Sequence, residues 1–223
     1  ALKLLKKSLN KNFDKAVNAI VNCQSKIILC GVGKSGLIAS KISSTLSSVG
    51  CPAFSLSAND CLHGDLGSIS NKDLLILISN SGKSKELLPI IKFANRNKIK
   101  LIGIVSEKNS SLYKGSDIKI LLPEVKEAGL GIVPTSSTSV QLAIGDALAV
   151  SALNKKKFSK YDFSKLHPGG NLGRQLKTVE DLMVTKNRIP FINENKNLIN
   201  AIKTITSKKL GVLIAKNNAG LTR

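Results

Sequence analysis

The chain has 223 residues, 42% of them hydrophobic and 4% aromatic, with 34 lysines and arginines against 14 acids and a net charge of +20. That is material for one domain of average size with something small beside it, and no apolar run reaches the roughly 20 residues of a membrane-spanning helix. Only four cations are arginine and there is no tryptophan, which argues against a nucleic-acid partner, since such readers use arginine and stacked aromatics. Lysine spread over the whole chain still attracts phosphorylated metabolites over roughly 8–10 Å.

In chain order, the polar N-terminus, Ala-Leu-Lys-Leu-Leu-Lys-Lys, is no signal peptide. A helix is predicted over 10–22, a strand over 26–30, a helix over 35–49 and a strand over 53–56. Next come a strand over 73–78, a helix over 84–97, a strand over 100–105, a short helix over 110–114, a strand over 117–122 and a helix over 137–153. The strands are continuous Ile, Leu and Val runs rather than alternating ones, which fits burial on both faces. Strand–helix alternation at this spacing implies an α/β protein, a three-layer αβα sandwich around a five-stranded parallel sheet. Ligands of such sheets sit at the carboxyl ends of the strands.

Residues 161–174 read as a turn-rich domain edge, so one domain is placed at 1–175 and a second unit at 176–223. The second reads as strand 188–192, helix 197–207 and strand 211–215, a β-α-β unit cut short, since roughly 40 residues bury too little core alone. Cys23, Cys30, Cys51 and Cys61 lack C-x-x-C spacing and read as free thiols of a cytoplasmic protein.

The most informative stretch is Ser79-Asn80-Ser81-Gly82-Lys83-Ser84-Lys85-Glu86, where an apolar strand stops in a hydroxyl-rich turn before a helix. Free N–H groups and the dipole of a helix N-terminus favour an anion, and serine hydroxyls add short uncharged donors suited to a phosphate monoester. A single serine would suffice for capping. Gly31-Val32-Gly33-Lys34-Ser35-Gly36 follows the first strand as a tight turn with a lysine at its tip. It matches the G-x-G-x-x-G dinucleotide fingerprint, but no acid ends the second strand; a Walker A loop fails because Ile28 stands where its first glycine belongs. Only two histidines occur, His63 in a glycine-flanked loop and His167 before Pro168-Gly169-Gly170. No cluster has zinc spacing, so neither metal nor cofactor is expected. Glu127 is an isolated acid ahead of a second hydroxyl-rich turn, Pro134-Thr135-Ser136-Ser137-Thr138, that completes a phosphate cradle or contacts sugar hydroxyls.

Gly-Val-Gly-Lys-Ser-Gly, His-Gly-Asp-Leu-Gly, Ser-Asn-Ser-Gly-Lys-Ser-Lys-Glu, Pro-Thr-Ser-Ser-Thr, Gly-Asp-Ala-Leu-Ala and His-Pro-Gly-Gly-Asn-Leu-Gly occur here in this order. Together they resemble the D-arabinose-5-phosphate isomerases, sugar isomerase (SIS) domain proteins with a C-terminal pair of CBS motifs. The resemblance implies interconversion of D-ribulose 5-phosphate and D-arabinose 5-phosphate, the entry to Kdo and lipopolysaccharide synthesis. It implies a SIS fold over about 1–175 and the start of a CBS motif, a binder of a nucleotide or nucleotide-sugar effector, in the remainder. It further implies a homotetramer with active sites shared between subunits. The family's catalytic positions fall on Lys34, Glu86, Glu127 and His167, and its substrate-binding positions on Gly33, Gly50, Cys51, His63, Ser79, Asn80, Ser81, Ser84, Ser136, Ser137 and Thr138. Three departures stand out: Lys83 where relatives carry an acid, Leu37 where many have histidine, and Ser57 where some have a zinc-binding histidine.

Aldose–ketose isomerisation moves a proton between C1 and C2 through a cis-enediolate, and needs a carbon base, an oxyanion donor and a proton carrier. Glu127 and His167 are the candidate carbon bases, with Glu127 favoured; apolar walls around its carboxylate would raise its pKa. His63 or His167 would assist ring opening, Lys34 would stabilise the enediolate or phosphate, and Glu86 would orient hydroxyls and Lys34. The rival readings are an isomerase of a heptose or hexulose phosphate, and a non-enzymatic sugar-phosphate sensor.

Overall fold

A computed structural model describes residues 1–167 and 178–219, in two compact units, Ala1–Gly173 and Arg174–Arg223. In the first unit five strands, β1 (Ile27–Gly31), β2 (Ala53–Ser57), β3 (Leu74–Ile78), β4 (Lys100–Val105) and β5 (Ile118–Leu121), form one parallel sheet in the order β2-β1-β3-β4-β5. β1 and β3 are buried at every position, which is why they read as unbroken apolar runs. Alternate side chains feed two cores. Ile27, Leu29, Leu74 and Ile76 join helices α1 (Leu2–Ser8), α2 (Lys11–Val21), α3 (Lys34–Ser48) and α7 (Ser136–Lys155) on one face. Ile28, Cys30, Leu75 and Leu77 join α4 (Ala58–Cys61), α5 (Leu87–Arg96) and α6 (Ser111–Gly115) on the other.

At the amino edge Asp73 ties β1 to β3, its carboxylate accepting from the N–H of Ser70 at 2.6 Å and of Lys26 at 3.3 Å and pairing with Lys26 Nζ at 3.0 Å. Burial alone would raise its pKa; the Ser70 N–H, the Ser25 hydroxyl and Lys26 outweigh that and hold it at about 2.

Several expected bounds move. α5 starts at Leu87 rather than at Ser84, because Ser84 is spent inside the serine turn. Residues expected to be irregular after 160 include α8 (Lys160–Leu166), opened by a capping box in which Ser159 and Asp162 satisfy each other's backbone N–H. α1, α4 and a 3₁₀ turn at Asp65–Ser68 are additions. The second unit contains α9 (Val179–Leu182), β6 (Phe191–Asn193), α10 (Leu198–Lys208) and β7 (Ile214–Lys216), with β6 and β7 parallel. That is the expected β-α-β order, with each strand starting three residues and ending one residue later than expected.

Candidate active site

The strand order reverses between β1 and β3, so the loops leaving these two strands open a crevice at the carboxyl edge. The β1–α3 loop is as tight as it is because helix and strand touch. A Cβ on Gly31 would lie 2.8 Å from the Ser35 backbone, and one on Gly36 would lie 2.8 Å from Gly31 O. This approach puts Gly33 at the N-cap of α3 and exposed Lys34 at its first position.

The β3–α5 loop is a hydrogen-bonded knot. Ser79, 4% exposed, accepts the Gly82 N–H at 3.0 Å and meets Ser84 Oγ at 3.1 Å. Ser81 Oγ accepts the Lys83 N–H at 3.3 Å, which leaves its own O–H to donate. Asn80 is exposed, and its Oδ1 accepts from Ser106 Oγ at 2.8 Å. The three serines therefore divide: Ser79 and Ser84 bond each other inside the turn, while Ser81 keeps its O–H. Lys83 is ion-paired with Glu107, just past β4. Glu86 takes the N-cap of α5 without capping it. Among the described residues the ion pairs are Lys26–Asp73, Lys41–Asp146 and Lys83–Glu107, so Glu86 does not hold Lys34 as expected. Beside the knot a cleft of about 510 Å³ is lined by Ser106, Glu107, Leu122 and Glu124, among others.

On the β2 side, Ser57 caps α4 by accepting the Asp60 N–H at 3.3 Å, and exposed His63 follows that helix. On the β5 side stands Glu127. Its Oε2 accepts the Thr135 N–H at 2.8 Å, the Thr135 hydroxyl at 3.2 Å and the Ser137 N–H at 3.2 Å. The expectation of a raised pKa is therefore corrected. The Ser137 hydroxyl, the Thr135 N–H and the other donors at the start of α7 hold this carboxyl at about 2, against burial that works the other way. Ser137 is buried and Thr138 donates its hydroxyl back to Thr135 O at 2.9 Å, which leaves Ser136 as the uncommitted hydroxyl of the three among the described residues.

Gly50, Cys51 and His167 do not join this group. α3 spans about 22 Å and carries the chain to the opposite edge before Gly50. There the Phe158 ring packs against Gly50 and Lys156 donates to its carbonyl, while Cys51 is buried and its thiol pKa is raised by that burial. His167 follows α8, whose seven residues span about 10 Å and cannot recross the roughly 30 Å covered by α7. The histidine also has local partners. Its ring stacks on Phe163 at 3.8 Å, and its Nδ1 lies 2.9 Å from Phe163 O. Donation from Nδ1–H to that carbonyl leaves Nε2 as the free acceptor. Pro168 and the glycines after it lie outside the described residues. Sequence reasoning did not single out Ser106 and Glu107 and read Thr135 only as one hydroxyl of the second turn, because their contacts form only between folded neighbours.

Sheet order, glycine turn and serine knot together define a sugar isomerase domain: the SIS domain family matches residues 20–151, and the chain belongs to it. Its relatives are more particular. Arabinose 5-phosphate isomerase KdsD of Yersinia pestis is 41% identical over 92% of this chain and 63% of its own length. KdsD of Francisella tularensis is 41% identical over 97% of this chain and 68% of its own. An Escherichia coli CFT073 protein solved in complex with arabinose 5-phosphate is 36% identical with a TM-score of 0.64, over 75% of this chain and 97% of that one. The chain thus spans less than two thirds of the Yersinia protein.

Proposed function

We propose that this chain carries the isomerase part of an arabinose-5-phosphate isomerase, interconverting D-ribulose 5-phosphate and D-arabinose 5-phosphate without metal or nucleotide and feeding Kdo synthesis in the cytoplasm. The observation that carries the reading is that Lys34 after β1, Ser81 and Glu86 after β3 and Glu127 after β5 all leave the carboxyl edge of one parallel sheet. Ser81 and Asn80 take the phosphate, Lys34 stabilises the enediolate oxygen or the phosphate, and Glu127 takes the carbon proton. At about 2, Glu127 is ionised at any physiological pH but weakly basic. Its basicity rises once bound sugar excludes water from it. Proton NMR of the purified protein with ribulose 5-phosphate and, separately, sedoheptulose 7-phosphate tests the reading; faster turnover of the heptulose would replace it with a heptose-phosphate isomerase.

Gly50, Cys51 and His167 lie at the far edge of their own sheet, which supports a homotetramer in which a second copy brings them to the crevice. Inactive Lys34→Ala and His167→Ala proteins, dissociated and reassembled together, then regain activity. Mixed oligomers without activity would sink the shared site. Residues 176–223 are read as the opening of a CBS motif that binds a nucleotide or nucleotide-sugar effector, supported by the β6-α10-β7 order.

A further inference from the structure

Thr135 stands at the N-cap of α7, yet its side chain caps nothing in that helix. A threonine there ordinarily turns its hydroxyl forward onto the N–H groups of the first turn. Here the hydroxyl turns backward. Oγ1 donates to Glu127 Oε2 at 3.2 Å and accepts the Ala128 N–H at 2.9 Å, while the Thr135 N–H donates to the same carboxylate oxygen at 2.8 Å. One residue thus grips both the side chain of Glu127 and the backbone immediately after it. The loop between contributes little packing to hold the carboxylate, because Leu130, Ile132 and Val133 are 92%, 78% and 59% exposed. The neck of the loop does the holding.

We infer that Thr135 is a positioning residue of the isomerase reaction, fixing the Glu127 carboxylate through a hydroxyl that donates to it and accepts from Ala128. This rests on the reading of Glu127 as the carbon base. The clamp is a hydrogen-bond device rather than an ion pair. Glu124 and Lys126 flank Glu127 in its own loop, and the three helices packed on α7 carry Lys3, Lys6 and Lys7 on α1, Lys11, Asp14 and Lys15 on α2, and Lys34 and Lys41 on α3. On α7 the first titratable side chain is Asp146, which pairs with Lys41. None of these forms an ion pair with Glu127 among the described residues.

The test is Thr135→Val, nearly isosteric and still carrying the N–H, against Thr135→Ser, which keeps the hydroxyl; Thr135→Ala serves if the valine variant does not fold. Two readouts are taken on the full chain: the titration of the Glu127 carboxyl carbon by NMR, assigned with Glu127→Gln, and the pH dependence of kcat/KM. Loss of one hydrogen bond to the carboxylate should move the titration and the acid limb up by about one pH unit. kcat should fall roughly tenfold, KM should hold, and serine should restore all three. A merely structural threonine would lower the melting temperature and leave the acid limb in place. An unmoved titration in folded Thr135→Val overturns the clamp. A moved titration with full activity in Glu127→Gln overturns the base reading instead, and the catalytic part of the inference with it.

Discussion

Asp73 and Glu127 sit at opposite edges of the same sheet, and backbone N–H groups help to hold both carboxyls at about 2. They differ in what surrounds them. Asp73 is buried, uses both oxygens and has the Lys26 ammonium on one side, so its charge is locked into joining β1 and β3. Glu127 is only half-buried, has no ion-pair partner among the described residues, and is held by neutral donors alone, the N–H groups and hydroxyls of Thr135 and Ser137. A depressed pKa is therefore no mark of an active site by itself. A carboxylate locked by burial and a counter-ion is a rivet; a half-buried one held only by neutral donors can still meet a substrate.

The sharpest way to break this contrast is Glu127→Gln, expected to lower kcat by about 10²–10⁴-fold, as for loss of a general base, with little change in the urea midpoint. Asp73→Ala should do the reverse. It strands the Lys26 and Ser70 N–H groups, and should cost about 3 kcal/mol, the low end for a broken buried pair because the Lys26 side chain is 35% exposed. Its kcat per folded molecule should equal that of the unaltered chain. Ser81→Ala should raise KM for the phosphorylated sugar with kcat nearly constant, by the 1.5–3 kcal/mol typical of one hydrogen bond to a charged group, or about 10–100-fold. An unchanged KM would take the serine turn out of the substrate site.

The smallest effect lies in pH. Both carboxyls are depressed, so each adds stability that is complete above its unfolded value near 4 and is lost as pH falls through about 2. Urea midpoints should fall between about pH 4.5 and 2, and Asp73→Ala should flatten that slope.

The sheet was legible in the sequence, since β1, β3 and β4 are apolar runs with no competing period, and each strand of the first unit falls within a residue or so of its expected place. α8 was equally written there, in the Ser-x-x-Asp of its capping box, but the Pro-Gly-Gly that follows outweighed it. The candidate site was half legible. Ser79, Ser81 and Glu127 could be picked out as residue types, yet which hydroxyl is turned inward and which acid is clamped depends on contacts closed over a loop. The separation of Gly50 and Cys51 from the crevice follows from the length of α3 alone; resemblance, which does not say which copy supplies a residue, hid it. The clamp had no sequence signal apart from a threonine eight residues after an acid.

Gly82 has a further consequence. Its φ is +64, and a Cβ there would strike the Ser110 hydroxyl and Val105, while its carbonyl accepts the Leu112 N–H at 3.1 Å. The serine turn and the corner between β4 and α6 are thus pressed together as one block, without room for a methyl group between them. A library meant to retune the proposed isomerase for a longer or shorter sugar must vary the two stretches jointly, although some twenty residues separate them in the chain. Randomising the turn alone samples only sequences that the corner already tolerates.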